Sequence, residues 1–125
     1  VPEATLAVAR GEFTIDRLAL DAVIAAHWPE RRYIEINTGR RARSLIGQYQ
    51  VPAGAETPLV VDVERTGKAL DIIASSDVMA AELIAAVTAL PGFPADGSVV
   101  LAEWSGDVIA LHPDTTAEEL LHQRD

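Results

Sequence analysis

A chain of 125 residues, 49% hydrophobic and 5% aromatic, has the size of one ordinary domain, and at that length roughly two-thirds of the unfolded surface is buried without staples. Its 19 acidic side chains against 10 basic ones leave a net charge of −9, which removes the cationic surplus that nonspecific nucleic-acid binding needs. The absence of cysteine excludes disulfides, thiolate zinc sites and a cysteine nucleophile, and it fits a reducing, cytoplasmic setting.

Taken in order, Thr5–Arg10 reads as a short first strand broken by Gly11. Thr14 is placed to cap a helix from Ile15 to Trp28, with Ile15, Leu18, Ala22 and Ala26 on one side and Leu20, Ile24 and Trp28 beside them. Arg17 and Asp21 sit four apart on its wetter side, in range for a pair. Pro29 stops the helix. Tyr33–Asn37 alternates, with Ile34 and Ile36 on one face; Thr38-Gly39 turns the chain, and Arg41–Gln50 returns as the partner strand. Gly47 inside that strand marks a bulge or bend.

Val51–Pro58, with two prolines and a glycine, reads as an exposed connection. Leu59–Glu64 puts Leu59, Val61 and Val63 on one face, Thr66-Gly67 turns, and Ala69–Ala74 returns with Leu70, Ile72 and Ala74 aligned. Asp77–Leu90 is the most apolar helix: Met79, Leu83, Val87 and Leu90 share a side that Ala80 and Ile84 widen. Ser75, Ser76 and Asp77 offer capping oxygens at its start, and Pro91-Gly92 ends it. Val99–Leu111 is a hairpin about Ser105-Gly106. Thr115 or Thr116 then opens a short helix through Leu121, with Thr116 and Glu119 at capping-box spacing.

The order β-α-β-β-β-β-α-β-β-α predicts a single α+β domain over residues 1–125. A mainly antiparallel sheet of three β-hairpins carries two main helices on one face and a short C-terminal helix. Glu35, Asp62 and Glu64 are expected on the outer face. The two helices share Ile-Ala-Ala at 24–26 and 84–86, and each precedes a hairpin, the pattern of a duplicated unit. The apolar run Leu83–Leu90 is too short to cross a bilayer, and Val1-Pro2-Glu3 does not open a leader peptide, so no membrane attachment is expected. Arginine far outnumbers lysine and alanine is abundant, the residue usage of a GC-rich coding sequence, as in many bacteria.

Charge is unevenly spread, with a net of +1 over residues 1–50 and −10 over residues 51–125. Arg31, Arg32, Arg40, Arg41 and Arg43 hold half of the positive charge within thirteen residues, a candidate anion site because converging guanidinium groups match carboxylate and phosphate. Neutralisation by the chain's own acids is the competing reading of the same cluster. His112 with Asp114, and Glu119 with His122, are close His-carboxylate neighbours, and no phosphate loop, nucleophile elbow or His-Glu-x-x-His appears. Neither metal nor cofactor is therefore expected, and no residue is assigned a catalytic role.

The expectation is a non-catalytic acidic protein-binding domain: a regulatory subunit, an inhibitor or an immunity-type partner of a basic protein. Asp62, Glu64, Asp71, Glu103, Trp104 and Asp107 are its candidate contacts, and pairing of open sheet edges predicts a homodimer. The alternative is a small-ligand-binding domain or small enzyme with a cleft between helices and sheet.

Overall fold

The computed structural model describes residues 3–53, 56–74, 76–103 and 108–123. Its strands are β1 (Glu3–Val8), β2 (Arg32–Glu35), β3 (Leu45–Ala53), β4 (Glu56–Glu64), β5 (Ala69–Ile73), β6 (Val99–Glu103) and β7 (Val108–Ala110). Its helices are α1 (Arg17–His27), α2 (Asp77–Thr88) and α3 (Ala117–Gln123), with a 3-10 turn at Arg40–Arg43. The strands form one seven-stranded sheet in the order β2-β3-β4-β5-β1-β6-β7, antiparallel throughout. The architecture is the expected α+β fold, with the helices on one face.

Alternation decides which side chains meet the helices. Leu6, Tyr49, Val51, Leu59, Val61, Val63, Leu70, Ile72, Val99 and Leu101 are buried in one core with Leu20 and Ile24 of α1, Leu83, Ile84 and Val87 of α2, and Leu120 of α3. α2 is buried around most of its circumference, Ala80, Ala81 and Thr88 included, which is why nearly every residue in it is apolar or small. Ser76 caps it by accepting from the Met79 N–H; Ser75 lies outside the described residues. Thr88 ties α2 to the start of α3 by donating to the Thr115 carbonyl at 3.2 Å. Phe13 and Phe93 meet edge to face, 5.6 Å between ring centres, and join the loops that enter α1 and leave α2.

Several local expectations are corrected. α1 begins two residues later than the apolar pattern suggests: Asp16, not Thr14, is the N-cap, accepting from the Ala19 N–H, and Ile15 is buried just before it at the position that packs toward Leu20. The return strand does not start at Arg41. Residues 40–43 wind into the 3-10 turn, and β3 starts at Leu45. Gly47 does lie beside a register shift, between Leu45 and Gly47, where Ile46 is the extra residue.

Val51–Pro58 is not one long connection. β3 runs through Ala53 and β4 starts at Glu56, with Pro52 facing Thr57 and Pro58 across a second register shift. A proline is tolerated there because the bulge needs no ladder N–H from it. β2 to β5 is therefore one continuous meander rather than two separate hairpins, with β1 inserted between β5 and β6. The two helix-hairpin units end at opposite edges of the sheet. The Ser105-Gly106 turn lies outside the described residues.

Candidate functional site

The face of the sheet away from the helices carries the outward residue of each strand. One row crosses all seven strands in register: Ile34, Gln48, Asp62, Asp71, Thr5, Ala102, Val108. Beside it runs Arg32, Gln50, Val60, Ile73, Glu3. The ends of the first row are exposed hydrophobics, Ile34 at 45% and Val108 at 64%. Its centre is acidic. Asp62 and Asp71 are direct cross-strand partners, an unfavourable like-charge pair, and each is held from its outer side. Gln48 Nε2 donates to Asp62 Oδ1 at 2.7 Å, Gln50 Nε2 donates to Gln48 Oε1 at 2.7 Å, and the Thr5 hydroxyl donates to Asp71 Oδ1 at 2.8 Å.

Of the other candidate contacts, Glu64 accepts from the Thr66 hydroxyl in the β4–β5 turn, and Glu103 pairs with Ala4 in the β1–β6 ladder. Trp104 and Asp107 lie outside the described residues. Glu35 is not with Asp62: it follows Tyr33 on the helix-facing side of β2, opposite Gly47, while Ile34 takes the open face. The cause is the short edge strand, whose register is set by Tyr33 opposite Tyr49 and not by the two isoleucines.

The arginines divide into two groups. Arg31 is bound internally: Nε and Nη2 donate to Asp21 at 3.3 and 3.0 Å. The buried Tyr49 hydroxyl donates to the same carboxylate at 3.1 Å. Asp21 is thus claimed by Arg31 and Tyr49, and its expected helical partner Arg17 instead lies 4.8 Å from the centre of the Tyr33 ring. The hydrogen bond from Arg31 holds the Asp21 carboxyl below its ordinary pKa, and burial followed by the bond to Asp21 pushes Tyr49 up to about 12. Tyr33 packs on Tyr49 at 4.8 Å between ring centres and covers Gly47.

Arg41 reaches the open face, Nη2 to Asp62 Oδ1 at 3.3 Å, with side-chain exposures of 57% and 22%. Arg32, Arg40 and Arg43 are exposed, and among the described residues none has an ion-pair partner. The residue that organises this region is Arg65. Its guanidinium donates to the carbonyls of Ala42 at 2.8 Å, Ile36 at 3.3 Å and Leu45 at 3.3 Å, and its backbone N–H donates to Ser44. No sequence pattern pointed to Arg65, because those carbonyls belong to residues 20 to 29 positions away.

On the helical side a shallow cavity of about 570 Å³ is lined by His27, Glu82, Ala85, Ala86 and Asp114 to Ala117. Asp114 has φ of 64° at its rim. Among the described residues no group of three His, Asp or Glu side chains has metal-site spacing, and no buried side-chain nitrogen or oxygen lacks a partner. No described helix is long and apolar enough to cross a membrane. Comparison of the chain with protein-family models, curated proteins and solved structures finds no match.

Proposed function

We propose that this chain is a non-catalytic protein-binding domain that receives a basic partner on the uncovered face of its sheet. The observation that carries the reading is the row across that face: paired carboxylates at Asp62 and Asp71, apolar Val60 and Ile73 beside them, and exposed hydrophobics at both ends. A partner that brings cations to the centre relieves the Asp62–Asp71 repulsion while its apolar atoms cover the flanks. A second copy of the same face would bring four carboxylates together, so the partner is a different, basic chain. The net charge of −9 supports the same sign of partner and speeds its arrival. The space between helices and sheet is filled by the core from Leu6 to Leu120, which favours the open face over a ligand cleft there.

A cytoplasmic setting, consistent with the lack of cysteine, and a homodimer through the edge strands belong to the same proposal. β2 and β7 are four and three residues long, so an edge-paired dimer would rest on few backbone bonds; light scattering across a concentration series decides it.

The test immobilises the domain and retains proteins from native lysate at low and high salt, beside an Asp62→Asn/Asp71→Asn variant. A photo-crosslinking residue at position 60 or 73 reports the face used. Salt-sensitive retention that the double variant loses, with crosslinks from 60 or 73, is expected. Retention unchanged by the double variant, or crosslinks confined to the helical side, would overturn the reading.

A further inference from the structure

The Arg40–Arg43 turn has a property that the acidic face does not explain. A 3-10 turn has three residues per turn, so residues three apart eclipse one another. Arg40 and Arg43 therefore rise from one side of the turn, separated by roughly 6 Å along it. Strand alternation from Arg41 would group Arg41 with Arg43; the 3-10 winding pairs Arg43 with Arg40, while Arg41 reaches Asp62.

Two like charges stacked in this way repel, and carboxylates are plentiful in a chain with 19 acids and 10 bases. Yet no described carboxylate lies within ion-pair distance of either Arg40 or Arg43. The backbone that carries them is pinned: Arg65 occupies the carbonyls of Ile36, Ala42 and Leu45, and adds its own positive charge beneath the turn. Two unneutralised guanidinium groups on a fixed turn are arranged for an anion before it arrives.

We propose that this turn is a phosphate-binding site formed by Arg40 and Arg43 and extended by Arg41. The charge decides the class. A phosphate group brings about −1.5 to −2 and three acceptor oxygens, which matches two guanidinium groups; a single carboxylate leaves one of them unmatched. Inorganic phosphate and a phosphate monoester on a larger molecule share this chemistry. Arg41 is the adjustable member. It makes one contact with Asp62, at 3.3 Å, and both groups are partly exposed. An anion at the turn competes with Asp62 for Arg41, and a basic partner on the sheet face competes with Arg41 for Asp62. The two ligands therefore favour each other's binding by thermodynamic linkage.

The experiment follows the Arg Nε–Hε resonances of isotope-labelled protein during titration with sodium phosphate, phenyl phosphate, acetate or chloride at equal ionic strength, above pH 7. Saturable shifts at Arg40 and Arg43 with phosphate, and loss of those shifts in Arg40→Gln/Arg43→Gln, are expected. Binding of phenyl phosphate as well assigns the site to a monoester, and binding of phosphate alone assigns it to the free anion; either supports the proposal. Asp62→Asn, which frees Arg41 without touching the turn, should tighten phosphate about threefold, the scale of one exposed ion pair. Acetate or chloride shifts as large as those of phosphate, or shifts that survive the double Arg variant, would refute the site. An unchanged affinity in Asp62→Asn would refute the part assigned to Arg41. That substitution is expected to weaken a basic partner and tighten phosphate, so failure of one ligand reading leaves the other standing.

Discussion

Asp21 offers the sharpest stability prediction, because one carboxylate serves two side chains of different burial. Arg31 and Asp21 are each 30% exposed, so their ion pair is screened and adds little. Tyr49 is fully buried, and its hydroxyl donates to Asp21 Oδ1. Asp21→Ala leaves that hydroxyl without an acceptor at a cost of about 1–3 kcal/mol, against which alanine returns about 0.5 kcal/mol of helix propensity. The net expectation is a loss of about 1.5 kcal/mol. Asp21→Asn keeps an acceptor oxygen for Tyr49 and should cost far less. Tyr49→Phe removes the donor, at about 1 kcal/mol. In Asp21→Ala/Tyr49→Phe no hydroxyl is stranded, so the combined loss should fall short of the sum of the single losses by about 1 kcal/mol or more.

Urea unfolding at constant slope measures the four variants beside the parent. Asp21→Ala no less stable than Asp21→Asn, together with additive losses in the double variant, would refute the reasoning. Acid gives an independent check. The folded-state pKa of Asp21 is depressed, so its contribution is complete above the unfolded carboxyl value and disappears as pH falls through the lower folded value. The parent should lose more stability than Asp21→Asn over that acid range.

Alkaline titration tests Tyr49 with the opposite sign. Its folded pKa is raised from 10.0 to about 12, so the stabilisation is present below the ordinary tyrosine value and lost as pH rises toward 12; in a Tyr33→Phe variant the ultraviolet ionisation midpoint should lie near 12 when folded and fall in urea. Gly47→Ala places a methyl into the Tyr33 ring and should cost about 1–3 kcal/mol, a loss expected to shrink in a Tyr33→Leu background and not otherwise. Leu83→Asp puts a carboxylate at a fully buried position of α2 and should leave little folded protein by circular dichroism, while an unchanged melting temperature would contradict the packing described.

The repeating elements were legible from residue order alone, because their signals are local. The four-residue spacing of Met79, Leu83 and Val87 and the alternation of Leu59, Val61 and Val63 report which side of each element meets the core, whatever that core is. The Pro91-Gly92 stop and the Thr66-Gly67 turn depend on backbone chemistry that neighbours do not alter. Elements with weak local signals were settled by distant partners. Asp16 caps α1 although Thr14 has the same capping chemistry; the burial of Ile15 between them decides which oxygen meets the free N–H groups.

The 51–58 stretch looks like a loop by composition and becomes two strand ends, because Val51 and Leu59 are register partners buried in the core and carry the ladder past a proline bulge. The site depended even more on tertiary structure. A cluster of arginines is visible in the sequence, but Asp21 takes Arg31, Asp62 takes Arg41, and Arg65 pins carbonyls in and beside the turn that carries Arg40 and Arg43, each from 10 or more positions away along the chain. Composition specified how much charge this protein carries; only the fold decided which charges are neutralised, since an ion pair forms by distance in space and not by separation in sequence.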